Sequence, residues 1–153
     1  MRDYLLRLFT HEEWANRSLL EGLHGRAGIP LRVYELIPHL LQAHRFWHLR
    51  LTGGEVTGFG WWPPFVHDEC LRLNAEVATV WSQYLSAMPE LIEEQRVTFP
   101  SAKGEPVTFR VVDILTQLHA HSVHHRGQIA MLMHTAGLDV INTDFIVYCR
   151  KHP

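Results

Sequence analysis

Cysteine is nearly absent from this 153-residue sequence: Cys70 and Cys149 are the whole supply, and they do not stand in Cys-x-x-Cys spacing. Two such residues cannot make a disulfide framework. Long apolar runs are also missing, and none approaches the ~20 residues that a membrane helix needs. Charge of one sign is lacking too. A net charge of −2 with scattered Lys and Arg leaves no basic footprint for nucleic acid and no polybasic membrane patch. The opening Met1-Arg2-Asp3-Tyr4 is not a charged-then-apolar leader, so the expectation is a cytoplasmic protein. No internal repeat, low-complexity tract or shift in composition divides the chain. With 46% hydrophobic residues, its length suits one globular domain with a sizeable core.

Histidine is abundant instead, 12 residues against 14 Lys and Arg. The stretch Val111 to Ala136 places Ile114, Leu118, Ile129, Leu132 and Ala136 on one face of a 3.6-residue helix. His121 and His125 fall in the middle of that stripe, about 40° apart, so both imidazoles leave the same face on adjacent turns. Imidazoles on a core-facing stripe are costly unless each ring nitrogen finds a partner. A divalent metal supplies one, since neutral imidazole is its commonest protein ligand. His-x-x-x-His alone is weak evidence in a histidine-rich chain. Ser122 also stands where the His-Glu-x-x-His metalloproteases keep their glutamate base, which excludes that chemistry.

Further helices are expected over residues 3–24, ended by Gly25, Gly28 and Pro30, and over Leu31 to Leu51, stopped by Thr52-Gly53-Gly54. Pro38 should kink the second helix or mark a boundary. His39 and His44 differ by about 140° of rotation, so both cannot face one centre from a regular helix. Periodicity favours His44, nearer the middle of the stripe of Val33, Leu36, Leu40, Ala43, Trp47 and Leu51. Nothing in the spacing selects His11. The loop from Glu55 to Asp68 carries Trp61-Trp62, expected to pack over the core rather than line a pocket. A third helix should begin near Asp68 or Glu69 and run through Leu85. Arg96–Pro100 and Val107–Arg110 flank a Gly-containing turn, as in a short hairpin. Gly137 should stop the fourth helix, and Asn142-Thr143-Asp144 should cap a terminal turn through Tyr148. Four amphipathic segments and a minor hairpin predict an all-α four-helix bundle.

The segment His121-Ser122-Val123-His124-His125-Arg126-Gly127-Gln128 resembles the fourth-helix signature of the DinB/YfiT-like proteins. His39-Leu-Leu-x-Ala-x-Arg-x-Trp47 resembles their second-helix signature, about 80 residues upstream. The hairpin and the terminal Gly137…Thr143-Asp144-Phe145-Ile146 segment are similar as well. The resemblance therefore spans nearly all of residues 1–153, read as a single DinB-like domain.

It implies a bundle, usually a homodimer, with a divalent metal on three histidines: by motif His39, His121 and His125. At helix two it contradicts periodicity, and we follow it because Pro38 disturbs helical angles near His39. It places His44, at a position commonly Asp, Glu or His, beside the ligands or in the pocket. His124 and Arg126 belong to the signature and serve chemistry, packing or the dimer. Zinc or nickel is foremost, with iron or manganese compatible. Relatives include bacillithiol transferases and mycothiol-dependent isomerases. The expectation is a metal-dependent hydrolase or low-molecular-weight-thiol S-transferase, acting on a small molecule with or without a thiol cosubstrate. The alternative is a metal-binding stress or structural protein without turnover.

Overall fold

Apolar residues recurring every three or four positions build long helices here, and the structure, a computed structural model, describes residues 1–89, 91–101 and 103–153. Helices α1 (Arg2–Leu23), α2 (Leu31–Thr52), α3 (His67–Ser86) and α4 (Val111–Thr135) form the bundle. One 3₁₀ turn at Ile92–Glu94 leads into β1 (Arg96–Pro100) and β2 (Pro106–Arg110), and α5 (Phe145–Lys151) follows α4. The chain is a mostly helical bundle with one small hairpin. Among the described residues no helix is long and apolar enough to cross a membrane.

Helix α2 runs unbroken through Pro38, so proline marks no boundary there. The third helix begins at His67, slightly before the expected start. The strands pair antiparallel, with Val97 opposite Phe109 and Phe99 opposite Val107. Such a hairpin is marginal alone. Here Val97 packs on the bundle core and Phe99 lies against Trp47, ring centroids 6.1 Å apart. Ala102, within the expected turn, lies outside the described residues. Asp144 precedes α5 without a side-chain capping bond, and Asn142 Oδ1 accepts its amide instead, at 2.9 Å. The terminal helix reaches Lys151, beyond the expected turn.

The core is divided lengthwise. Leu5, Phe9, Val77, Trp81, Leu115 and Leu118 fill one end, while Leu20, Leu36, Leu41, Cys70, Ile129 and Met133 fill the other. Between them each of the four long helices contributes buried polar residues: Glu12 and Asn16, His44, Asn74, and Ser122 and Arg126. On α1 the series Leu5, Phe9, Glu12, Asn16, Leu19, Leu23 falls within a sector of about 80°, so the polar pair continues the apolar stripe.

Helix α4 ends where expected. Gly137 adopts φ 71°, and the Leu138 amide donates to Met133 O at 3.0 Å, closing a Schellman-type cap. A side chain is strained at that φ. Gly137→Ala should cost about 1 kcal/mol and lower the melting temperature by about 2–4 °C in a thermal melt.

Candidate metal centre

The loop after α2 returns over the bundle and meets α2 and α4 where His39, His121 and His125 converge. One ring nitrogen of each of these three lies within 4.8 Å of the others. The His121 and His125 rings are 4.3 Å apart, and His39 stands 5.4 and 5.0 Å from them. His39 is buried and the α4 pair is half-buried, so the cluster sits at the edge of the α2–α4 seam.

This corrects two expectations. The centre of the α4 stripe is occupied by Leu118, Ser122, Arg126 and Ile129, with His121 and His125 at its flank. On α2, His44 is indeed the stripe's centre at 1% exposure, but the cluster lies at the flank, where His39 points. Periodicity finds what is buried, and an accessible site need not be at the middle of what is buried.

Hydrogen bonds fix the rings. His39 Nδ1 donates to Trp61 O at 3.1 Å, and His125 Nδ1 donates to Gln128 Oε1 at 2.7 Å. Each bond commits its Nδ1 proton and leaves Nε2 as a lone pair, the tautomer that metal-bound histidines favour. Nε2 of His125 faces Nε2 of His121 at 3.0 Å. One shared proton or one ion bound to both would satisfy that approach, and the buried His121 Nδ1 has no partner among the described residues. Burial foremost lowers the affinity of all three rings for protons. For His121, burial with the charges of His125, His39 and His124 brings the pKa to about 4. Lower values for His39 and His125 have burial as the main cause as well. All three are neutral near pH 7, as a metal requires. Three neutral imidazoles, two of them with the other nitrogen held, fit a borderline divalent ion and leave coordination positions open.

Of the two loop tryptophans, Trp61 packs against Phe46 of α2, ring centroids 4.4 Å apart, while Trp62 overturns the expectation. Trp62 is 52% exposed rather than packed into the core, and its ring lies parallel on His39 with centroids 3.8 Å apart at 5°. It walls the histidine cluster.

The remaining sequence candidates lie elsewhere. His124 is exposed, its ring 5.3 Å from that of His125. Arg126 turns into the core, where it grips Glu12 through both oxygens, at 2.5 and 3.1 Å. His119 Nδ1 donates to the same carboxylate at 2.5 Å. His44 lies 3.9 Å from Glu12 and meets Ser122 Oγ at 2.9 Å. Ser122 Oγ donates to Leu118 O at 3.0 Å, so His44 Nε2 is the donor to Ser122.

His11, Glu12 and His119 form a second group close enough to hold an ion. There Arg126 already supplies the countercharge, and His11 Nε2 is committed to Thr143 O at 2.8 Å. That cluster is an internal ion-pair network. The sequence reading missed Glu12, and its signal was a charged residue at the centre of an apolar stripe.

The model of the DinB family matches residues 31–152, which is most of the chain. The chain belongs to the DinB family. No curated protein and no solved structure matches it. The matched residues begin at α2, so Glu12 lies before them while its partner Arg126 lies within the family signature. This DinB-family protein therefore carries histidine groupings that could hold a metal ion, in a family associated with metals.

Burial alone would raise the Glu12 carboxyl, but the Arg126 charge and the bonds from His119 and Arg126 hold it well below the ordinary carboxylate range. Burial foremost pushes His44 down to about 4, against the opposing pull of Glu12. Both folded-state values are depressed, so both stabilise the fold at neutral pH. For His44 that contribution fades as pH falls from the unfolded value of 6.5 through about 4, a loss on the order of 2–4 kcal/mol. For Glu12 it fades below the unfolded value of 4.5. Denaturant unfolding across this range should show that decline, and His44→Gln should flatten its upper part. Glu12→Gln strands the Arg126 charge and should cost about 3–5 kcal/mol at neutral pH.

Proposed function

We propose that His39, His121 and His125 bind one divalent metal, zinc or nickel foremost, and that this DinB-family protein is a metal-dependent enzyme. The reaction class is hydrolysis or S-transfer from a low-molecular-weight thiol. The observation that carries the reading is the convergence of three imidazoles whose Nδ1 protons, on His39 and His125, are held away from the common point.

A bound metal of this kind acidifies a coordinated water or thiol, or polarises a carbonyl. The chain's own residues orient and shield. Trp61 O and Gln128 fix the ring planes, and Trp62 covers one face of His39. Among the described residues no carboxylate belongs to the three-histidine group. The ion would keep its full positive charge, which favours an anionic nucleophile such as hydroxide or thiolate. Three protein ligands also leave room for such a group, the arrangement of catalytic sites rather than closed structural ones.

We further propose a homodimer. On α4, Val123 and Met131 are 48% and 62% exposed, four residues to either side of Gly127, and Val140 beside them is 44% exposed. A second α4 could approach closely over the glycine and cover these side chains.

His39→Ala, His121→Ala and His125→Ala should each lower metal affinity steeply, measured by titration after circular dichroism shows the variant folded. His44→Ala should keep its metal, losing at most about 10- to 100-fold as a neighbour rather than a ligand. Should His44→Ala abolish binding while His39→Ala binds normally, the ligand assignment fails. Thiol-transfer and hydrolysis screens should show turnover that a chelator removes, and metal binding without turnover on any screened substrate would favour a binding protein. Light scattering should give a dimer that Met131→Asp weakens, and a wild-type monomer at micromolar concentration would remove the dimer.

A further inference from the structure

A cleft of about 690 Å³ opens between the first turn of α2 and the segment after Trp61. Its volume is that of a small-molecule site. Tyr34, Trp62, Pro63 and Phe65 give it flat apolar walls, with the Tyr34 and Phe65 rings 4.8 Å apart. Trp62 is a wall shared with the histidine cluster, because the same ring is stacked on His39.

Two charges line this apolar space. Arg32 and Glu35 pair at 2.7 Å with side chains 52% and 47% exposed. An ion pair so open to solvent contributes little and exchanges partners readily. The Arg32 guanidinium carbon lies 4.9 Å from the centre of the Trp62 ring, so an aromatic shelf backs it. An arginine held this way presents a planar fork suited to a carboxylate. The position over Trp62 that a cationic ligand would seek is already taken by Arg32 itself. Trp62 thus touches both Arg32 and His39. A divalent ion on three neutral imidazoles would add positive charge to the same neighbourhood.

We propose that this cleft is the substrate subsite of the histidine centre and takes a flat, apolar organic carboxylate. Arg32 holds the carboxylate, and Trp62 with Phe65 holds the apolar body. Glu35 is the gatekeeping countercharge that the incoming carboxylate displaces. The identification as a substrate subsite rests on the metal-enzyme reading above; the carboxylate cleft itself does not need the metal.

The probes are 3-phenylpropionate and its neutral amide, titrated by calorimetry and tryptophan fluorescence into metal-free and zinc-loaded protein at neutral pH. The carboxylate should bind more tightly than the amide in both forms. Arg32→Gln should remove roughly tenfold of that preference while zinc binding is unchanged. Glu35→Gln should tighten the carboxylate several-fold, a gain that damage to the fold would not produce. Trp62→Ala should weaken both probes. Equal binding of acid and amide, or a carboxylate affinity indifferent to Arg32→Gln, overturns the proposal. A preference present only with zinc and indifferent to Arg32 places the carboxylate on the metal alone, which sinks the cleft and leaves the metal reading standing. A wild-type protein that binds no zinc sinks the metal reading instead, and the metal-free titrations still decide the cleft by the same criteria.

Discussion

A carboxylate in the middle of a helical core must find a cation or give up its charge. Glu12 finds Arg126, and their two hydrogen bonds across the α1–α4 seam are the constraint on which the geometry of this bundle depends. Arg126 directly follows His125, and His119, the other donor to Glu12, precedes His121 by two positions. Turning α4 enough to release the pair would leave a buried guanidinium without its countercharge and swing His121 and His125 away from His39. The apolar ends of the core tolerate small slips, because one buried methyl can replace another. The polar layer between them does not. It draws on all four long helices, so it fixes register as well as rotation.

Fixing α4 in this way makes the histidine cluster inexpensive to maintain. His121 and His125 need no contact with Glu12, since they leave the helix on the flank beside the seam. Their Nε2 atoms face each other, and Trp61 O and Gln128 hold the protons of His39 and His125 on the far nitrogens. Burial then keeps all three rings neutral at neutral pH. The division of labour is chemical. Glu12, Arg126 and His119 satisfy one another inside, while the three neutral imidazoles at the edge bring one ring nitrogen each within 4.8 Å of the others.

The fold was legible because its signals are long and periodic. The helices, the hairpin and the Gly137 stop all follow from spacing and turn chemistry, and Pro38 proved compatible with an unbroken helix. At the site, the i, i+4 pair His121 and His125 could be read directly, since one helix sets their relation. His39 could not be read that way, and the family motif, rather than helical rotation, pointed to it. Rotation measures burial, and on α2 it found His44, the most buried imidazole of that helix. Trp62 was read as core cover because its partner, His39, is a tertiary neighbour from another element. Glu12 was missed although its place among Leu5, Phe9, Asn16, Leu19 and Leu23 marked it as buried. Its donors, Arg126 and His119, come from α4, and no local pattern announces them.

The central claim is that one divalent ion is held by one residue of α2 and two of α4. Anomalous diffraction from crystals of the metal-loaded protein tests it most directly. The account predicts one strong peak per chain, bonded to His39, His121 and His125 at about 2.0–2.2 Å, with at least one further position held by solvent or substrate. A peak between His11, Glu12 and His119, or one bonded to His44 in place of His39, would contradict it.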